Sequence, residues 1–333
     1  MVFEDLRPAE ILSKESFENG AAVYMALGGS TNAAIHLIAL ARRANVPLTL
    51  DDLGALSQRI PVCANLFPSG KYLMEDFFFA GGLPALMSKL SHTLHLSCLT
   101  VSGRTVGENL TGVSCFDADV IRDIENPVVP LAQGLTLAVL RGNLCPDGAV
   151  MKSSAADPRL LDHTGPAIVF DSHAELTQRI DDPDLDVTEN SVLILRNAGP
   201  IGAPGMPEWG NLPIPKKLLA KGVRDMLRIS DARMSGTHYG ACIVHAAPEA
   251  AIGGPLALVR TGDLISVNTR AGTLNMQVSD EELSRRRAAW SPPPNAYARS
   301  YAALYQRHVN QAPAGCDFDF LSGQAPTPEP PIF

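Results

Sequence analysis

The chain has 333 residues, more than one small core needs, so two domains are the natural expectation. Apolar residues make up 46% and charged ones only 19%, below the usual quarter, which excludes a solvated, disordered chain. The net charge of −8 excludes a general nucleic-acid surface, because phosphate binding needs clustered Lys and Arg.

The opening MVFEDLRPAEILSKESF mixes acids with bases and has no apolar signal core. No apolar run reaches the ~18 residues of a membrane span, so a soluble cytoplasmic protein is expected. ESFENGAAVYMALGG (15–29) reads as a helix stopped by glycine. STNAAIHLIALARRANV (30–46) follows, with Ser30, Thr31 and Asn32 as candidate N-caps and apolar residues on nearly every side, the pattern of a buried helix. TLDDLGALSQRI (49–60) is a shorter amphipathic helix, and 70–93 reads as two helical pieces around Gly81 and Gly82. His92 and His95 are read on a strand, where a spacing of three turns them to opposite faces and rules out a shared metal.

Past residue 126 the pattern changes to short apolar runs bounded by Gly, Asn, Asp and Pro: LTLAVLRGN, AIVFDS, VLILRNAGP, DMLRISDAR, LALVRTGDLISVN and TLNMQVS. These are predicted strands. SHAELTQRI, PIPKKLLAKG and SDEELSRRRAAW between them are predicted helices, the last with a capping box from Ser279 to Glu282. The expected organisation is a helix-rich front (1–120), a β/α domain (121–322) and a Pro-rich tail (323–333). The six cysteines are widely spaced and never form C-x-x-C, so they read as reduced packing residues.

Four loops could carry chemistry. GGSTN (28–32) places exposed N–H groups at a helix start, which suits a carboxylate or phosphate, or is an ordinary capped turn. PSGKYLMED (68–76) sets Lys71 at a predicted helix start, where the dipole disfavours a cation unless an anion or solvent relieves it. GAPGMPEWGN (202–211) holds Glu208 in a stiff Gly/Pro frame with Met206 and Trp209, either as a surface turn or as a ligand holder. SDARMSGTHYG (230–240) presents Ser235 and Thr237 after a strand, beside N–H groups that could stabilise an alkoxide, or as a simple Ser/Thr turn. His238 is near enough in sequence to be considered as a base for Ser235.

Taken together, GGSTNAAIHLIALAR, PSGKYLMEDFFFAGGLPALM, LRGNLCPDGAV, GPIGAPGMPE, ISDARMSGTHYG and APEAAIGGPLALVRTGDLI resemble, in order, the dihydroxy-acid and sugar-acid dehydratase family. ISDARMSGT and YAALYQRHVNQAPAGCDFDFL resemble its sugar-acid branch, the arabinonate and xylonate dehydratases, rather than the enzymes of branched-chain amino-acid biosynthesis. The resemblance implies an α/β protein: part of an N-terminal α/β domain, then a β-barrel-like domain, with the pocket at their interface. It implies a homodimer that takes water from a 2,3-dihydroxy acid such as a pentonate, giving a 2-keto-3-deoxy acid with Mg²⁺ and an iron–sulfur cluster as cofactors. Glu208 matches the family's Mg²⁺-ligating glutamate, and Ser235 the serine that takes the C2 proton as an alkoxide. Ser30, Thr31, Lys71 and Thr237 are carried over as pocket-lining residues. None of the six cysteines falls in the cluster motifs, so the cluster ligands are expected in a missing N-terminal segment. A lyase completed by that segment and a non-catalytic remnant that binds an acid or a homologous subunit are the two readings this leaves.

Overall fold

A computed structural model describes residues 1–235, 238–321 and 331. The front is a layer of helices: α1 (Pro8–Ile11), α2 (Lys14–Leu27), α3 (Thr31–Arg43), α4 (Leu50–Ser57), α5 (Met74–Phe79), α6 (Gly82–Lys89) and α7 (Val106–Leu110). Their ends follow local chemistry. Ser13, Ser30, Thr49 and Thr105 accept N–H bonds as N-caps, and Gly28 ends α2 in the left-handed region at φ +68°.

The rear alternates strands and helices: β1 (Ala138–Leu140), β2 (Gly148–Met151), β3 (Asp162–Phe170), α8 (His173–Arg179), β4 (Val192–Leu195), α9 (Lys216–Leu219), β5 (Arg228–Ser230), β6 (Cys242–Ala247), β7 (Leu264–Asn268), β8 (Thr273–Met276), α10 (Asp280–Ala289) and α11 (Ser300–His308). The eight strands form one sheet in the order β1-β2-β6-β5-β4-β3-β7-β8, with the central β6-β5-β4-β3 run parallel and the flanks antiparallel. Its edges meet. Arg141 N–H donates to the Gly272 carbonyl at 2.9 Å, and Leu274 N–H to the Arg141 carbonyl at 2.8 Å, so the sheet is a nearly closed barrel. The expected mixed α/β class with a barrel-like rear is what the chain adopts.

Strand alternation sorts the side chains into three cores. Ala149, Met151, Ala167, Val169, Val192, Ile194, Ile229 and Ile243 fill the barrel. Ile168, Phe170, Leu193 and Leu195 point outward against Leu176 of α8 and Leu218 of α9. On the other outer face, Val150, Cys242 and Val244 pack into the same cluster as Met25, Ile35, Ile38 and Leu53 of the front helices. Hydrogen bonds pin this seam: Thr136 Oγ1 donates to the Met25 carbonyl at 2.6 Å, and Leu137 N–H to Ser57 Oγ at 3.1 Å.

Several sequence expectations differ from the structure. His92 lies in a short 3-10 turn (Ser91–Thr93) and His95 follows it, pairing with Glu18 at 2.8 Å, so neither is on a strand. The LAL of LALV lies in another 3-10 turn (Pro255–Leu258), and only the end of that run, Leu264–Asn268, is a strand. Ser279 caps α10, but Glu282 turns to Arg285 and Arg286 instead of closing the box.

Candidate active site

The seam between α3 and the barrel loops gathers several of the residues singled out by sequence. Ser30 Oγ accepts the Asn32 N–H at 3.2 Å and opens α3. Asn32 Nδ2 then donates to Glu208 Oε1 at 2.7 Å, joining groups 176 residues apart in sequence. Beside that bond, Thr31 Oγ1 and Asn32 Oδ1 are buried with no partner among the described residues. Buried polar atoms are normally paired, so two orphans at one helix start leave hydrogen-bonding capacity for a water or a polar ligand.

The Glu208 loop is held from both ends. Met206 is buried at φ +47°, and Trp209 stacks on His173 with ring centroids 4.7 Å apart. These two large apolar residues anchor the turn that presents the carboxylate. Gly210 N–H donates to the Arg233 carbonyl at 2.7 Å, an approach only glycine allows, since a Cβ there would sit 2.7 Å from that oxygen. The bond lies two residues after Glu208 and two before Ser235, so the two loops run side by side. Ser235 is partly buried, its carbonyl accepting the His238 N–H at 3.3 Å with His238 Nδ1 at 3.4 Å; Thr237 lies outside the described residues.

Two buried carboxylates brace these loops from beneath. Glu249 accepts the Ile201 and Gly202 N–H groups at 2.9 and 2.8 Å and is gripped by Gln311 Nε2 at 2.7 Å. Asp231 accepts the Ala198 and Ala250 N–H groups, both at 2.9 Å. Burial, and then the Glu249 charge, push the Asp231 carboxyl up to about 7.

Lys152 is the buried cation of the seam. It is 5% exposed, its Nζ donates to the Gly28 carbonyl, and burial pushes its amine down to about 8. The Ser69–Ser154 hydroxyl pair, 3.0 Å apart, lies on the same side of Gly28. Lys71 is elsewhere in character. It is exposed, pairs with Asp119 at 2.9 Å and sits over the Tyr72 ring; the helix begins at Met74, so the predicted dipole conflict does not arise.

Sequence reasoning missed Asn32 as a ligand-side group, along with Lys152, Asp231 and Glu249. A lysine closing the apolar run GAVMK was the available signal for Lys152, since an unpaired charge seldom enters a core.

As to metals, Glu208 and the orphaned Asn32 Oδ1 are hard oxygen donors, which suits Mg²⁺ with waters and substrate completing its shell. Among the described residues no group of three or more His, Cys, Asp or Glu stands ready for a metal. Among the described residues the cysteines join no group of three metal-ligating side chains, and burial holds the Cys63, Cys145 and Cys242 thiols up at about 12, 12 and 11, which does not suit an iron–sulfur cluster.

Comparison with known proteins bears on this geometry. The family signature described as dihydroxy-acid/6-phosphogluconate dehydratase C-terminal matches residues 119–316, and its N-terminal counterpart matches 1–109. A 6-deoxy-6-sulfo-D-gluconate dehydratase of Pseudomonas putida is 65% identical over 332 residues, covering 100% of this chain and 57% of the relative. An L-arabinonate dehydratase of Rhizobium leguminosarum bv. trifolii is 48% identical, and a dihydroxy-acid dehydratase of Chloroflexus aggregans 43%, covering 97% and 95% of this chain and 56% of each relative. The chain thus spans little more than half the length of these relatives.

Proposed function

We propose, on the premise that the chain belongs to the dihydroxy-acid/6-phosphogluconate dehydratase family, that it forms one wall of the active site of a hydro-lyase acting on a sugar acid. The reaction removes the C2 proton and the C3 hydroxyl of a 2,3-dihydroxy acid, and the resulting enol becomes a 2-keto-3-deoxy acid. Relatives named for a five-carbon aldonate and for a sulfonated six-carbon one support a sugar acid over a branched-chain precursor.

The observation that carries the reading is the Asn32–Glu208 bond with two orphaned polar atoms beside it. A polyhydroxylated acid offers the hydroxyls those atoms lack. Glu208, oriented by Asn32, would hold Mg²⁺, which when bound supplies the positive centre that makes a C2 proton acidic. Ser235, on the adjoining loop, takes that proton as an alkoxide. Asp231 and Glu249 position both loops and touch no substrate. Among the described residues no cysteine group suits the cluster, and its ligands are assigned to the part of the relatives that this chain does not match.

The test is a chimaera carrying the unmatched part of the Pseudomonas putida relative in frame, assembled anaerobically and assayed for 2-keto-3-deoxy acids on five- and six-carbon aldonates. Turnover is expected, and Ser235→Ala should lower it by at least about 10²-fold with the cluster spectrum unchanged. A retained rate rejects the alkoxide role, and no turnover on any aldonate rejects the lyase. The 333-residue chain alone should show neither cluster absorbance nor turnover.

A further inference from the structure

One turn along α3 from Asn32, the same helix face reaches a second group of polar side chains. Residues 32, 36, 39, 40 and 43 share that face, and all but Asn32 line a cleft of about 480 Å³ with Met206, Arg233, Tyr305 and Cys316. Arg233 is the unusual member. Its Nε is buried with no partner, and among the described residues its guanidinium makes neither a hydrogen bond nor an ion pair. The acids nearby are already engaged. Asp317 is taken bidentately by Arg43 at 2.5 and 2.6 Å, Glu249 by two N–H groups and Gln311, and Asp231 by loop N–H groups.

The surroundings repeat the pattern. His245 is 1% exposed and neither ring nitrogen has a partner. It sits where the β2–β6 register shifts, at φ +58°, with its N–H donated to the Ala232 carbonyl at 2.9 Å instead of to the ladder. Such a bulge re-aims a side chain, here beside Arg233. Burial first, then the Arg233 and His36 charges, push His245 down to about 3, and burial with Arg233 lowers His36. Burial thus disfavours the charged form of both imidazoles, and a neutral ring still offers one N–H donor.

We propose that Arg233, with His36 beside it in the cleft and His245 buried next to it, is a subsite for an anionic group (sulfonate, phosphate or second carboxylate) at the end of the sugar acid opposite its reacting carboxylate. A half-buried guanidinium without an acid is costly until an anion arrives, and its planar fork suits a two-oxygen contact. The spacing fits. Asn32 and His36 are four residues apart on that face, ~6 Å along the axis, comparable to the reach of a short sugar chain. The assignment rests on the sugar-acid reading for the identity of the ligand, but the anion site stands on the cleft itself.

The experiment uses the 333-residue chain and inorganic sulfate, titrated by calorimetry against chloride at constant ionic strength. Saturable sulfate binding is expected, weakened at least 10-fold in Arg233→Gln and unchanged in Lys221→Gln, an exposed lysine. His36→Gln, a milder change with circular dichroism as the folding check, should weaken it several-fold. A second arm compares D-gluconate with 6-phospho-D-gluconate: the phosphorylated acid should bind at least 10-fold tighter, and Arg233→Gln should erase the difference. No saturable sulfate binding, binding indifferent to both substitutions, or equal affinity for the two acids would overturn the subsite. None of these outcomes depends on turnover, so the titration decides the subsite even if the chimaera fails to dehydrate any aldonate.

Discussion

The barrel and the helical front solve the problem of burial differently. The barrel closes through Arg141 and Gly272, fills its interior from alternate strand positions and hides its buried ion pair entirely. The front has no sheet of its own among the described residues, only isolated bridges such as Val62 with Val129 and Ala64 with Ile121. Its core is completed by the barrel's outer face, through Val150, Cys242 and Val244. It also leaves Phe78, Phe79 and Phe116 at 73%, 67% and 77% exposure. The front is thus the dependent partner, and the candidate site lies where that dependence is greatest.

If the barrel is the self-sufficient half, its internal electrostatics should dominate stability. Asp225 pairs with Arg228 at 2.8 Å, the side chains being 1% and 5% exposed, and also accepts N–H bonds from Asp157, Met226 and Ala241. Asp225→Ala leaves a buried guanidinium without its counter-charge and several N–H donors unpaired. A loss of about 3–5 kcal/mol in urea unfolding is expected. A loss no larger than that of an exposed pair would mean the barrel is not the half that sets stability.

At the seam the expected effect is smaller and has a pH signature. Burial holds the folded Lys152 amine at about 8 against an ordinary 10.5, so between those values the folded state binds fewer protons than the unfolded one. Stability therefore rises with pH from about 8 to about 10.5, and the cost of the buried charge is fully present below pH 8. The amplitude is roughly 3 kcal/mol. Lys152→Met should flatten that rise in unfolding experiments at pH 7 and pH 10. A variant that keeps the slope would assign the pH dependence to another group.

What the sequence disclosed follows the same division. The front helices carry caps and stops, Ser30, Thr49 and Gly28, which act locally and are readable from neighbours alone. β3, β4, β5 and β8 announce themselves as apolar runs between turn residues. β2 and β6 did not: GAVM and CIVHAA are buried on every residue, so no alternation marks them, and unlike the VLIL of β4 they mix small residues and a histidine into the run. They are the strands on which the front packs, and the seam was correspondingly the least legible part. Glu208 and Ser235 were reached through a family resemblance rather than through spacing. Asn32, Arg233 and His245 matter because of partners they meet, or lack, across long stretches of chain, and no local pattern encodes a missing partner.

The smallest effect on stability tests the exposed side of the comparison. Phe78 and Phe79 form an edge-to-face pair, with centroids 5.5 Å apart, at the end of α5, while the neighbouring Phe77 is buried in the core. Removing Phe78 and Phe79 takes away little native packing, so the double change to Ser should alter unfolding by no more than about 0.5 kcal/mol. Its effect should appear in solution behaviour instead. Contiguous apolar surface drives association, and sedimentation velocity should show less self-association in the double variant at equal concentration. If the variant instead unfolds markedly more easily, the pair is part of the front's own core, and the contrast with the barrel narrows to the seam alone.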